Sequence, residues 1–250
     1  MKKFLDGLSY LRSLVVTIPL IYLYTIVMGT ISLLVSPFDR RGNLQHACAR
    51  LWARLIMTTS LVRVRVSGLE HVDTQATYVY CANHQSYLDT TLLFGYLPVK
   101  FRIMAKASLF RIPFLGWHLK RAGHMPIARD NVRRAARSLL EAAEHIRAGT
   151  PVVVFPEGGR SIPGPLQEFR AGTFLLAIRA GVPAVPVAIV GTRAALAPHS
   201  WHIHPARVEM IIHPPIPTEG MRTKDSERLA QQVRDVIAAT LAARRGRSSH

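Results

Sequence analysis

Only two of the 250 residues are cysteine, Cys48 and Cys81. They make no CxxC pair and no disulfide framework, which fits a reducing compartment. Cys81 lies in the apolar run Tyr78 to Ala82, where a thiol behaves as a small hydrophobe. Acids are also scarce: 15 Asp and Glu stand against 32 Lys and Arg, for a formal net charge of +17. Such an imbalance calls for an anionic partner, either nucleic acid or an anionic membrane surface. There is no Walker loop, no dinucleotide fingerprint and no serine-centred elbow, so P-loop, Rossmann and serine-hydrolase chemistries lack their parts. Internal repeats and low-complexity linkers are missing too. His199, His202 and His204 gather around Trp201 at a spacing that matches no metal motif; the expectation is a solvent-exposed loop and no metal.

Charge is absent altogether from Leu14 to Val35. Those 22 residues would span about 33 Å as a helix, close to the thickness of a hydrocarbon core. A secretory signal would be shorter and followed by small residues, whereas Ser36-Pro37-Phe38-Asp39-Arg40-Arg41 follows here. The expectation is therefore an uncleaved membrane anchor, with Pro19 marking a kink or a dip into one leaflet. A chain that only bound nucleic acid would have little use for it, so lipid is the expected partner and nucleic acid is not. Lys2, Lys3 and Arg12 precede the run; Arg40, Arg41, Arg50 and Arg54 follow it. The balance leans toward the inner (cytoplasmic) membrane with the remaining chain in the cytoplasm.

What is present past residue 60 alternates strand and helix. Val62, Val64 and Val66 alternate with Arg63 and Arg65, a strand with one wet face. Strands are expected at 77–82, 101–104, 151–155, 184–190 and 208–212, those at 77–82 and 151–155 of buried type. Helices are expected at 88–97, from Asp130 or Asn131 to Gly149, at 173–180 and at 226–243, with a frayed tail at Arg244, Arg245 and Arg247. Before them, Leu44, Cys48, Leu51, Trp52, Leu55 and Ile56 recur at helical spacing, with Arg50 and Arg54 on another face. The fold expected is α/β: a single mixed sheet flanked by helices, with an N-terminal membrane-anchoring helical segment. The expected divisions are anchor and amphipathic helix at 1–60, catalytic domain at 61–220, and C-terminal amphipathic helix with basic tail at 221–250.

Two constellations carry chemistry. The first, Asn83-His84-Gln85-Ser86-Tyr87-Leu88-Asp89, follows a buried strand, and ligands of α/β sheets collect at strand ends. His84 and Asp89 would fall on different faces of a regular helix, so the segment must turn first if they are to meet. Ser86-x-x-Asp89 equally matches a capping box, in which the carboxylate only binds a backbone N–H. The second is Phe155-Pro156-Glu157-Gly158-Gly159-Arg160-Ser161, a strand end running into a turn. Its two glycines let the backbone approach a ligand, and Arg160 can fork onto a phosphate; an ordinary strand-to-loop turn is the alternative. Between them lies Gly123-His124-Met125-Pro126-Ile127-Ala128-Arg129, a short strand ending in Arg129. The block Val182-Pro183-Ala184-Val185-Pro186-Val187 comes last.

These four blocks, in this order, resemble the glycerolipid acyltransferase family of the bacterial 1-acylglycerol-3-phosphate type. Its signature runs N-H-x4-D, G-x-x-x-I-x-R, F-P-E-G-[ST]-R-S and V-P-V. The resemblance covers roughly residues 60 to 215. Gly159 departs from the usual Thr or Ser, which bears on how the loop holds phosphate, and Met125-Pro126 departs from the usual apolar pair. The resemblance implies an O-acyltransferase with His84 as general base and Asp89 as its partner. The acyl donor would be acyl-CoA or acyl carrier protein, and the acceptor a lysophospholipid; membrane lipids are the remaining partner and no cofactor is expected. Asn83, Lys106, Arg129, Glu157, Gly158, Gly159 and Arg160 would bind substrate. Glu157 fits loop ordering or a substrate hydroxyl better than the role of base, and the stretch Phe110 to Trp117 offers apolar surface for acyl chains. Another acceptor, such as a lyso-aminolipid, and a non-catalytic lipid-binding protein are the alternatives.

Overall fold

The computed structural model describes residues 2–39, 41–127, 132–159 and 166–247. Seven strands form one mixed sheet: β1 (Val62–Ser67), β2 (Val79–Ala82), β3 (Arg102–Lys106), β4 (Met125–Ile127), β5 (Val152–Val154), β6 (Ala184–Val190) and β7 (Ala206–Ile212), in the spatial order β1-β7-β6-β2-β5-β3-β4. The strand β2 pairs in parallel with β5 and β6, and β3 in parallel with β5 and β4. Every residue of β2 and β5 is buried. Their unbroken apolar sequence follows from that, since strands covered on both faces lose the alternation seen in β1. Burying one large apolar side chain such as Tyr80, Phe101 or Phe174 contributes roughly 1.5–3 kcal/mol.

The described helices are α1 (Lys2–Arg12), α2 (Ile18–Val35), α3 (Asn43–Thr59), α4 (Leu88–Tyr96), α5 (Leu115–Arg121), α6 (Val132–Arg147), α7 (Ala171–Ala180), α8 (Thr192–Ala195) and α9 (Ser226–Arg247). Gly181 (φ 68°) takes the left-handed conformation that ends α7. The helix α9 continues through Arg244 and Arg245 to Arg247, so the expected frayed tail is corrected at those positions. By contacts the chain divides into two compact units, one of Met1–Val66, Gln85–Leu97 and Ile189–Met210, the other of Ser67–His84, Pro98–Ala188 and Ile211–His250.

In the first unit, Asp6–Val35 is long and apolar enough to cross a membrane, with a mean hydropathy of 2.1. Pro19 produces no break. It stands in the first turn of α2, directly after a π-helical turn at Ser13–Thr17, and such a turn absorbs the backbone hydrogen bond that proline cannot make. The π turn is also where the helix is held: Arg12 Nη2 donates to Ile203 O (2.7 Å), while Ser13 Oγ accepts from Ile203 N (3.1 Å) and donates to Ile203 O (3.0 Å).

The apolar stripe of α3, expected either to lie on a membrane or to cap the core, divides between the two. Leu44 and Leu51 are exposed, and Gln45, His46, Ala53, Ile56 and Met57 are buried. Arg50 and Arg54 donate to Leu97 O (3.1 Å) and Gly95 O (2.9 Å). They therefore satisfy carbonyls at the C-terminus of α4, where cations are also favoured by the helix dipole.

Candidate active site

Parallel pairing places the C-terminal ends of β2, β5 and β3 at one sheet edge. In register, Cys81 lies opposite Val154, so the third residue beyond each, His84 and Glu157, fall at the same level. Glu157 is buried and its Oε1 accepts the His84 backbone N–H at 2.6 Å. The half-buried His84 ring stacks on Phe155, with centroids 4.0 Å apart and planes 20° from parallel. A charge-assisted bond at the backbone and an aromatic plate at the ring thus fix this imidazole from two directions.

The loop after β5 is a tight turn in which Gly158 N donates to Phe155 O (3.0 Å). Gly158 has φ 75°, and a Cβ there would meet Arg170 Nε at 2.5 Å. Glycine is favoured by its backbone conformation, and the guanidinium lies directly against it. Arg170 is otherwise exposed, and its N–H donates to Pro156 O (3.0 Å). Lys106 ends β3 and is exposed at the same sheet edge. Two strand spacings separate β3 from β2, roughly 10 Å.

Asp89 belongs to the first unit. It is fully buried in the first turn of α4, and its Oδ2 accepts the N–H groups of Gln85 (2.6 Å) and Ser86 (2.7 Å). The chain therefore does turn before the helix, and the amide that follows His84 ends on this carboxylate. Ser86 Oγ accepts the Leu88 N–H (3.1 Å) and donates to Leu196 O (2.7 Å). These bonds satisfy the capping reading of Asp89; both amides use the same oxygen, so a second role is compatible with it.

Among the other expected residues, Asn83 is fully buried directly after β2, and Gly159 is half-buried. Arg129 and Arg160 lie outside the described residues. The short strand before Arg129 exists as β4, Met125–Ile127. Phe110 needs correction: it is buried, packed with Ala105 and Leu119. Ile112, Leu115 and Trp117 remain exposed, beside Phe114 with φ 66°. His202 and His204 lie with ring centroids 3.6 Å apart and planes tilted by 33°, and Tyr10 meets His202 edge-on at 5.3 Å.

Sequence reading missed two site residues, Phe155 as the plate beneath the imidazole and Arg170 as a cation on the glycine turn. The first depends on the register of β2 against β5, the second on where the start of α7 falls. Arg170 did leave a signal, since it stands at the N-cap of α7, where Ser, Thr, Asp or Asn is usual.

Residues 63–190 match the model of the acyltransferase family. That span is half of the chain and contains the strand ends just described; the chain belongs to the acyltransferase family. It is 32% identical over 219 residues to the 1-acyl-sn-glycerol-3-phosphate acyltransferase of Chlamydomonas reinhardtii, covering 86% of this chain and 64% of that protein. With the chloroplastic enzyme of that name from Brassica napus it shares 36% identity over 182 residues, covering 72% of this chain and 52% of the relative. The chain thus spans about half to two thirds of these relatives. Against the Saccharomyces cerevisiae protein of the same name, 30% identity extends over 94% of this chain and 78% of the relative. Among solved structures, the 1-acyl-sn-glycerophosphate (LPA) acyltransferase PlsC of Thermotoga maritima superposes with a TM-score of 0.79 at 26% identity, covering 98% of each chain.

Proposed function

We propose that the chain moves a fatty acyl group from the thioester of acyl-CoA or acyl carrier protein to the free hydroxyl of 1-acyl-sn-glycerol-3-phosphate, giving phosphatidic acid. One observation carries this reading: at the end of a buried parallel strand, a buried carboxylate and an aromatic ring hold one histidine in a fixed pose. The names of the relatives supply the substrate class.

An alcohol is a weak nucleophile at neutral pH, and a positioned imidazole suits the task of taking its proton. In the proposed step His84 removes the acceptor's hydroxyl proton as the oxygen attacks the thioester carbon. The tetrahedral oxyanion then collapses, the C–S bond breaks, and the thiolate leaves with a proton from the imidazolium. Asp89 stabilises that imidazolium, and Glu157 positions the ring by holding the backbone behind it. No cofactor enters the step. Arg170, with Lys106, Arg129 and Arg160, supplies cations for the acceptor phosphate; a charged hydrogen bond of this kind is worth about 1.5–3 kcal/mol. Ile112, Leu115 and Trp117 offer apolar surface to acyl chains. The N-terminal helix holds the protein in the membrane, and the charge balance around it favours the cytoplasmic face of the inner membrane.

Gly159, where the family carries Thr or Ser, favours a second reading within the same chemistry: a lyso-aminolipid or another lysophospholipid as acceptor. A panel of lysophosphatidate, lysophosphatidylcholine and a lyso-aminolipid with labelled acyl-CoA separates them. Lysophosphatidate is expected to give the most diacyl product, and Arg170→Ala is expected to raise its KM about tenfold or more while sparing the phosphate-free acceptor. Product from the lyso-aminolipid alone would transfer the assignment to the second reading. Turnover of no acceptor would leave a lipid-binding protein.

A further inference from the structure

A cleft of about 640 Å³ opens in the first unit, lined by Thr58, Leu61, Val62, Arg63, Pro205, Ala206 and Arg207. Nothing in the acyl-transfer step uses it. Arg63 and Arg207 come from β1 and β7, neighbours in the sheet, and both are exposed. No carboxylate is among the lining residues. Two guanidinium groups facing one cavity repel each other and raise its positive potential, which an anion relieves; their fork geometry selects phosphate.

The remaining wall is apolar and contains a strained residue. Leu61 follows α3 with φ 57°, in the place after a helix end where glycine is the usual choice, and its side chain is 54% exposed. A leucine held in that backbone conformation and turned toward solvent costs stability twice, once in strain and once in exposed apolar surface. The cleft also sits beside the apolar N-terminal helix: Thr59, next to Thr58, hydrogen-bonds Tyr24 of α2 (3.2 Å). On the other rim, Ile203, two residues before Pro205, is bound by Arg12 and Ser13. Arg12 and Tyr24 thus flank the cleft along the helix, and a helix lying along one leaflet carries the cleft at the level of the head groups.

We propose that this cleft binds the phosphate of an anionic membrane phospholipid through Arg63 and Arg207, with Leu61 against the lipid's glycerol and first chain carbons. The proposal rests on membrane association through the N-terminal helix and is independent of the acyl-transfer reading.

The test uses the full-length protein in detergent, with phosphatidylglycerol retention followed by native mass spectrometry and by exchange from vesicles of phosphatidylcholine with or without phosphatidylglycerol. The double variant Arg63→Glu/Arg207→Glu is expected to lose about 30-fold or more in phosphatidylglycerol retention. Acyl transfer to lysophosphatidate in detergent should be unchanged. The charge-matched control Arg133→Glu/Arg137→Glu on α6 is expected to retain the lipid as wild type does. Leu61→Gly should raise Tm by about 2–4 °C yet weaken retention, a pairing that a purely structural leucine would not give. Equal loss in both double variants would reduce the effect to general surface charge and overturn the proposal. So would displacement of the lipid by inorganic phosphate or glycerol 3-phosphate at concentrations equal to its own, which would assign the cleft to a soluble phosphate. Unchanged retention in both Leu61→Gly and the Arg63/Arg207 variant would also overturn it.

Discussion

The sheet-end site and the N-terminal helix invert each other's burial. In the site, polar groups are inside: Asn83 is 0% exposed and Glu157 is 5% exposed, and in the first unit Asp89 is likewise 0% exposed. In the helix, apolar groups are outside: Leu34, Val15 and Ile26 are 68%, 63% and 58% exposed. Each arrangement is expensive in water. The site offsets its cost with hydrogen bonds, since Glu157 binds the His84 amide and Asp89 binds two more. The helix is held by bonds at its π turn and at Tyr24 and Thr25, which leave its large apolar side chains exposed, and an apolar solvent would offset that cost.

A charge placed on the helix gives the largest expected effect. Ile26→Arg puts a guanidinium on the apolar surface, at a cost of up to about 2.5–3.5 kcal/mol, the value for a bilayer centre. That corresponds to roughly 70–400-fold weaker partition. Flotation with vesicles is the check; unchanged partition would remove the helix from the membrane reading. On the site side, Glu157→Gln keeps an acceptor near the His84 amide but removes its charge. It is expected to lower kcat about 10–100-fold while Asp89 keeps its own bonds. If kcat holds, the ring does not depend on the carboxylate behind it.

The smallest effect concerns a group outside both regions. His213 Nε2 lies 3.0 Å from Thr240 Oγ1, and burial followed by the nearby His71 lowers its pKa below the ordinary value. The folded protein therefore binds this proton less readily than the unfolded chain, and stability falls as pH drops below about 6.5. His213→Gln should flatten the Tm profile between pH 7.5 and 5.5 by a few degrees, read by thermal melts. A steeper profile would contradict the sign.

Much of the sheet was legible because its periodicity is plain. The apolar run Ala184–Val190 has the bounds of β6, and Val62, Val64 and Val66 show the alternation of β1. Which way α3 turns its apolar stripe was left open by the sequence, since such a stripe suits lipid or core alike; Leu44 and Leu51 are exposed while Gln45 and His46 are buried. Composition alone does not reveal which carbonyls Arg50 and Arg54 will seek. At the site, the residue types and their order along the chain pointed to His84, Asp89 and Glu157. What escaped was the third dimension: that Glu157 acts on the His84 backbone, that Phe155 lies under the ring, and that Arg170 returns to Gly158. The first two follow from β2 and β5, neighbours in the sheet but distant in the chain, lining up in register, and the third from the start of α7 lying against the turn after β5; no local pattern encodes either.

The central claim is that the imidazole of residue 84 takes the acceptor's proton. Its most direct measurement is kcat/KM of His84→Ala for lysophosphatidate and acyl-CoA, beside a thermal melt of the same sample. A loss of about 10²–10⁴-fold with Tm within a degree or two of wild type is expected. Product formed at the wild-type rate by a folded His84→Ala protein would contradict it.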